Sequence, residues 1–479
     1  MELKNKNIVV VGLGRTGLAT AAFLHQQQAR VLVSDTASDK ELGDNVDTLR
    51  KLGVRIETGS HHASSFQNAD LIVISPGVSH TSEPIAHAMD KGIPVIGEVE
   101  LASRFIKEPI IAVTGTNGKT TTTELLGHML KDSGFKVFVG GNIGNPLIDY
   151  VAKKEPSQIV VAEISSFQLD TVAAFRPRVS VLLNITADHL DRYPNFEAYA
   201  DSKFRIFKNQ QVEDVAILNG SDPVIRARTE RIRSQLLFFP SAAANQQGAV
   251  LNGRRIILNV DKLQKIHLEI SNRLGRARRG PQSSIRNQEY LDISQIRLQG
   301  QHNFENAAAA SLAAFAVGTT LEDIQNTLNH FKGLPHRLEH VATINAVQYF
   351  NDSKATNVDG VARALQCFSK PVLLIMGGRD KGSDFKALEG LVRKHAKELI
   401  VMGEAAEPIR SALGQLIPTK IAASMEEAVS TAYQHADPDD VVLLSPGCAS
   451  FDWYGSYTER GNHFRQAVEK VKKRAAAKT

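Results

Sequence analysis

Sulfur is scarce in this chain. Two cysteines in 479 residues, Cys367 and Cys448, provide neither a disulfide framework nor a cysteine-based zinc cluster. Long hydrophobic runs are also missing. The longest, such as Val372 to Met376 and Val441 to Leu444, are strand-sized and far too short to span a bilayer. The opening MELKNKN leads straight into a strand pattern, with no apolar region of a signal peptide. Charge of one sign is not concentrated either. A net +5 with a pI near 9.0 suits anionic substrates but is too diffuse to indicate nucleic acid. These absences predict a reduced, cytoplasmic protein without membrane insertion or a nucleic-acid partner.

What is present is an α/β pattern long enough for about three domains. The central stretch is Ile110 to Leu126, IIAVTGTNGKTTTTELL. A β-branched run, Ile110 to Val113, enters Gly115-Thr116-Asn117-Gly118-Lys119-Thr120-Thr121, and a helical pattern follows through Leu126 and Met129. Strand, glycine turn, Lys-Thr and helix form the layout of a phosphate-binding loop. Backbone N–H groups and the helix N-terminus face phosphate oxygens, Lys119 adds a full charge, and Thr120 reaches Mg²⁺. Two residues separate Gly115 from Gly118, where the common form has four. The alternative is a glycine turn that only caps a helix.

Before it, Ile8 to Val11 enters Gly12-Leu13-Gly14-Arg15-Thr16-Gly17, and a second strand ends at Asp35. Taken alone, GxGxxG with an acid about twenty residues on argues for a dinucleotide and an oxidoreductase. Further strands at Leu71 to Ile74, ending in Ser75-Pro76-Gly77, and at Pro94 to Ile96 bring the count before Pro109 to about four. That is a small Rossmann-like unit with room for one nucleotide rather than two.

After the phosphate loop, polar residues cluster just past strand ends: Glu163 to Gln168, Asn184 to Asp191 and Asn219 to Asp222. In a parallel sheet those ends share the edge where ligands bind. Glu163, Asp188 and His189 are therefore candidates to face the same phosphates as Lys119 and to hold Mg²⁺. For any one of them, capping a helix or satisfying a loop is the alternative. A helix is predicted over Asn195 to Phe207 with Phe196, Tyr199, Phe204 and Phe207 as its apolar face, and Lys203 reads as an exposed surface lysine. The basic 271–292 segment reads as a surface insertion. Beyond Pro335 a second α/β unit begins, with polar clusters at Asn351 to Asn357, Gly377 to Gly382 and Ser445 to Asp452. The basic tail, Lys470 to Thr479, reads as frayed.

Taken in order, VGLGRTG, SPGV, GTNGKTTT, GGNIG, EISSFQLD, NITADHLDRY, GQHNFENAAAA, GLPHRLE, NDSKATN and SPGCASFD make the chain resemble the Mur ligase family over essentially its whole length. GTNGKT alone marks a superfamily that also includes folylpolyglutamate synthases. NDSKATN and SPGCASFD are similar to the D-glutamate-adding branch, and the DNPR-type motif of the diaminopimelate-adding branch is missing.

The resemblance implies three domains: 1–107 binding UDP, 108–333 binding ATP, and 334–479 contacting the amino acid and nucleotide. It implies ATP-dependent addition of D-glutamate to UDP-N-acetylmuramoyl-L-alanine through an acyl phosphate, by a monomer. Gly14, Arg15, Thr16, Asp35, Thr36, Ser75 and Gly77 would line the uridine diphosphate, and Asn142 and Ser165 the muramoyl-alanine. Lys119 would meet the β,γ-phosphates. Thr120 would hold one Mg²⁺, and Glu163 and His189 a second, with Lys203 as a carbamylated ligand. Asn303, Asn306, Arg337 and Asp352 would surround ATP, and Lys354, Thr356, Lys381, Ser450 and Tyr457 D-glutamate. Tyr457 stands where the family pattern leads one to expect Phe.

Overall fold

The computed structural model describes residues 1–153, 157–190, 192–241, 247–260, 290–294, 296, 300–331, 333–380 and 382–476. Lys381, Asp191 and the basic segment up to residue 289 lie outside the described residues. The chain forms two compact units. One is Met1–Ser294 with Asn306–Asn329, and the other is Gln295–Glu305 with His330–Thr479.

The first unit holds two sheets. β1 (Asn7–Val11), β2 (Arg30–Ser34), β3 (Arg55–Glu57), β4 (Leu71–Ile74) and β5 (Val95–Gly97) form an all-parallel sheet in the order β3-β2-β1-β4-β5. This is five strands, not the four expected. The extra strand is β3, only three residues long and with charged ends, too short to show a pattern. The central strands β1 and β4 are nearly continuous Val, Ile and Leu, as burial on both sheet faces requires.

The second sheet comprises β6 (Ile110–Thr114), β7 (Val137–Gly141), β8 (Ile159–Glu163), β9 (Val179–Leu182), β10 (Val215–Asn219), β11 (Gln235–Phe239), β12 (Gly248–Asn252), β13 (Arg255–Asn259) and β14 (Tyr290–Asp292). Their order is β14-β13-β12-β11-β10-β9-β6-β8-β7, parallel from β7 to β12 and antiparallel beyond. β6 therefore lies between β8 and β9, so the residues following all three strands share one edge.

Two buried carboxylates tie the end of the first sheet to the second. Glu98 Oε1 accepts the Ile148 N–H at 2.6 Å. Glu100 Oε2 accepts three successive N–H groups, from Ala173, Ala174 and Phe175, each at 2.9 Å, and its other oxygen takes Arg104 Nε. Burying a carboxylate is tolerated where donors converge on it like this. Glu98 is served less well: Oε2 has no partner, and burial raises its pKa to about 7.

The second unit holds β15 (Glu339–Ile344), β16 (Val347–Asn351), β17 (Val372–Gly377), β18 (Ala396–Met402), β19 (Thr419–Ala422) and β20 (Val441–Leu444), in the order β15-β16-β20-β17-β18-β19. Only β15 is antiparallel. The tail expected to fray is instead helix through Ala476. Val471 is buried on its apolar stripe and Lys470 pairs with Glu426. Among the described residues no helix is long and apolar enough to cross a membrane.

Candidate active site

The loop between β6 and the helix Lys119–Asp132 is shaped by its two glycines. Gly118 has φ +86°, and a Cβ there would lie 2.4 Å from Asn306 Oδ1; at Gly115 one would lie 2.9 Å from Leu183 Cβ. A side chain at either position would need strained backbone and displaced neighbours. The helix then buries Leu125, Leu126, Met129 and Leu130 at helical spacing, which fixes its N-terminus over the sheet edge.

Asn184, one residue beyond Leu183, clamps this loop. Its Oδ1 accepts the Asn117 N–H at 2.8 Å, its Nδ2 donates to the Asn117 carbonyl at 3.0 Å, and its own carbonyl accepts the Thr116 N–H. Thr116 Oγ1 donates to the Thr186 carbonyl, accepts the Thr186 N–H and lies 3.0 Å from the Tyr199 hydroxyl. Asn184 and Tyr199 were not among the predicted site residues. Their signal was position, two residues past β9 and one helical turn before Lys203.

Lys203 corrects the sequence expectation most sharply. It is 1% exposed, not on the surface. Tyr199 and Lys203 are four residues apart in the helix Phe196–Phe204 and so share a face, with Nζ 4.6 Å from the Tyr199 ring centroid. Lys203 Nζ donates to the Gly115 carbonyl at 2.9 Å, the oxygen that also accepts from Lys119 Nζ at 2.8 Å. Lys119 donates to the Thr116 carbonyl as well. Burial and the Lys119 charge push the Lys203 pKa well below its ordinary value, against the pull of Asp188, Asp170 and Glu163.

Glu163, at the end of β8, is 1% exposed. Its Oε1 accepts Asn142 Nδ2 at 2.8 Å, while Oε2 is buried without a hydrogen-bond partner. An orphaned carboxylate oxygen is costly unless a cation completes it. Among the described residues no three His, Cys, Asp or Glu side chains form a self-contained metal cage. Mg²⁺ needs none, since it takes one or two protein oxygens together with phosphates and water. The donor set of Glu163 and the Thr120 hydroxyl fits that hard cation. His189 sits at φ +55°, its N–H on Asp188 Oδ1 and its ring 4.8 Å from Phe167. Arg192 stacks on Phe167 at 4.4 Å and donates to the Gly77 carbonyl at 3.2 Å. Ser165 caps the short helix Ser166–Leu169 through a reciprocal box with Gln168.

The first glycine turn lies where β1 ends between β2 and β4. Asp35 Oδ2 accepts the Leu13 N–H and Oδ1 the Ala37 N–H; Ser75 Oγ donates to the Gly12 carbonyl. Asp35 thus holds the turn itself. Arg15, at the start of the helix Arg15–Gln26, donates to Asn145 in the segment that follows β7. Thr36 and Gly77 are exposed and Thr16 is partly buried.

In the second unit, Asp352 accepts the Leu338 N–H and the Ser445 hydroxyl, and burial raises its pKa to about 7. Lys354 Nζ lies 3.8 Å over the Tyr457 ring. Ser450 is buried, and Thr356 is partly so. Asn303 and Asn306, three residues apart on the helix Gln301–Ala316, are both buried.

A nucleotide-fold unit, a phosphate loop at a shared strand edge and a closing α/β unit define an architecture that known proteins share. The Mur ligase middle domain matches residues 113–314, the Mur ligase MurD-like N-terminal domain 6–97, and the Mur ligase glutamate ligase domain 336–448. The chain belongs to the Mur ligase family. Within it, the chain is 48% identical over 472 residues to the UDP-N-acetylmuramoylalanine--D-glutamate ligase of Desulfosudis oleivorans, covering 98% of each chain. It is 49% identical to the ligase of that name from Desulfatibacillum aliphaticivorans, covering 98% and 99%. Among solved structures, a pseudomurein peptide ligase type C from Methanothermus fervidus shares the fold at TM-score 0.59 and 22% identity, covering 98% of this chain and all of that one. The MurF ligase of Thermotoga maritima, solved in complex with ADP, does so at 0.58 and 15%, with the same coverage. Family membership removes the oxidoreductase reading of Gly12 to Gly17.

Proposed function

We propose that this chain is an ATP-dependent amide ligase joining D-glutamate to UDP-N-acetylmuramoyl-L-alanine, a step of peptidoglycan precursor synthesis, with ATP cleaved to ADP and phosphate. The observation that carries the reaction type is the phosphate loop with Lys119 and Lys203 on one carbonyl. The sugar nucleotide and the amino acid follow from the relatives' names.

A carboxylate does not acylate an amine at neutral pH, because its oxygen is a poor leaving group. In the proposed reaction the alanyl carboxylate attacks the γ-phosphorus, giving an acyl phosphate and ADP. The free amine of D-glutamate then attacks the acyl carbon, and phosphate leaves from the tetrahedral intermediate. Two anions meet in the first step, so catalysis is positioning and charge compensation. Mg²⁺, at two sites, supplies part of that compensation when bound. Lys119 moves from the loop carbonyls onto the β,γ-phosphates, and the loop N–H groups bind phosphate oxygens. Thr120, Glu163 and His189 supply metal ligands. Lys203 reacts as the neutral amine with CO₂, exchanging a proton for a carbamate that adds an anionic oxygen. Burial beside Lys119 favours that neutral form.

Arg15, Thr16, Asp35, Thr36, Ser75 and Gly77 take the uridine diphosphate, and Asn142 and Ser165 the muramoyl-alanine. Asn303, Asn306, Arg337 and Asp352 serve ATP. Lys354, Thr356, Ser450 and Tyr457, with Lys381, serve D-glutamate. The enzyme acts as a monomer in the cytoplasm. The test is product analysis with the three substrates and Mg²⁺. UDP-N-acetylmuramoyl-L-alanyl-D-glutamate should form only when ATP is present, and its absence from a complete mixture would overturn the assignment.

A further inference from the structure

Arg460 lies in the first turn of the helix Tyr457–Ala476, on the stripe that also buries Gly461, Phe464, Ala467, Val468 and Val471. It is 1% exposed. All five of its N–H donors are engaged. Nε donates to Ser353 Oγ at 3.1 Å, and Nη1 to the carbonyls of Gly377 at 3.3 Å and Ala449 at 3.2 Å. Nη2 donates to the carbonyls of Ser353 at 2.9 Å and Cys448 at 3.1 Å. Every acceptor is neutral. Among the described residues no carboxylate lies within ion-pairing distance; Asp452 acts on the guanidinium from farther off, and burial outweighs it, lowering the pKa to about 10.

Those acceptors lie at the end of β17 and in the segments that follow β16 and β20. Lys354 is the residue after Ser353, and Ser450 the residue after Ala449. Ser353 Oγ, while accepting from Arg460, donates to the Tyr457 carbonyl at 2.8 Å. Gly378 passes so close that a Cβ there would lie 2.9 Å from Nη1. One planar fork thus sets the spacing of three segments and leaves a buried positive charge beneath them, with Asp452 acting on it only from beyond ion-pairing distance. A buried charge without a paired counter-ion is expensive to keep for packing alone. An acceptor amino acid with two carboxylates gains from it.

We propose that Arg460 is the positioning residue for the acceptor amino acid, holding the loops that carry Lys354 and Ser450 in register with Tyr457 at the start of its own helix and attracting the acceptor's carboxylates. The inference rests on the amide-ligase reading above. A Lys in its place keeps the charge but offers three donors from one point, so at least two of the five acceptors lose their partner.

The experiment separates the two half-reactions. Hydroxylamine replaces D-glutamate as acceptor, attacking the acyl phosphate to give a hydroxamate and phosphate. Arg460→Lys should leave ADP formation with hydroxylamine within about twofold of wild type while raising the KM for D-glutamate about tenfold or more, the equivalent of two lost hydrogen bonds. KM for ATP and for the sugar nucleotide should not move. Arg460→Ala should be weaker still for D-glutamate and partly rescued by millimolar guanidinium. Should the Arg460 variants fail to fold, Ser353→Ala, which removes the shared hydroxyl, should raise the same KM about three- to tenfold. An unchanged KM for D-glutamate, or an equal loss with hydroxylamine, would overturn the proposal. Failure of wild-type protein to make the hydroxamate would instead remove the underlying reading.

Discussion

Lys119 and Lys203 donate to the same acceptor, the carbonyl oxygen of Gly115, at 2.8 and 2.9 Å. Two ammonium groups around one buried oxygen repel each other, and the one with no access to water loses its proton more readily. This couples the phosphate loop to the helix Phe196–Phe204 and favours the neutral amine of Lys203, the form that the proposed carbamylation requires.

Lys203→Ala should therefore lower kcat by about 10³-fold, in the range of losing one preorganised charged group. Short carboxylic acids at millimolar concentration should restore part of it by occupying the vacated volume. Wild-type turnover without any added acid would reduce Lys203 to a packing residue.

For Lys119→Ala, the loss of turnover should be about 10³-fold or greater if the residue acts on the transferring phosphates as proposed. It donates to the Gly115 and Thr116 carbonyls of its own loop, a local contact, and the melting temperature should stay within a few degrees of wild type. A thermal melt beside an ATPase assay separates the two effects.

Asn184 tests the loop clamp. Its side chain exchanges two hydrogen bonds with Asn117. At about 1 kcal/mol each, their loss in Asn184→Ala should raise the KM for ATP about thirtyfold and change kcat less. Initial-rate kinetics over a range of ATP concentrations would show whether the loop depends on this residue.

Glu98 predicts a pH dependence of stability. Burial raises its pKa from 4.5 to about 7, the Ile148 N–H only partly offsetting this. A carboxyl with a raised folded-state pKa contributes stability that is complete below the unfolded value and is lost as pH rises through about 7. Glu98→Gln keeps the acceptor for Ile148 and removes the titration. The variant should be more stable than wild type at pH 8, by about 3 kcal/mol, with the gap closing toward pH 5. Parallel melting curves across that range are the check; a gap that is constant with pH would refute the linkage.

Much of the fold was legible because parallel strands buried on both faces spell themselves as apolar β-branched runs, as β1, β4, β6 and β20 do. β3 and β19, at sheet edges and partly exposed, carry charged residues and left no pattern. The glycine turns and strand-end polar clusters marked the candidate site because a parallel sheet brings such strand ends to one edge. Lys203 was misread because a lysine on a helix is usually solvated. Its four-residue spacing from Tyr199 was the available clue. Arg460 hid likewise on the apolar stripe with Phe464 and Val468, where charge usually signals exposure.

The most direct measurement is phosphate release from ATP with UDP-N-acetylmuramoyl-L-alanine and Mg²⁺, comparing D-glutamate with L-glutamate as acceptor. The account predicts sustained release with D-glutamate, stoichiometric with new amide bonds, and little with L-glutamate. Release without any amide product, or none while ATP is bound, would contradict it.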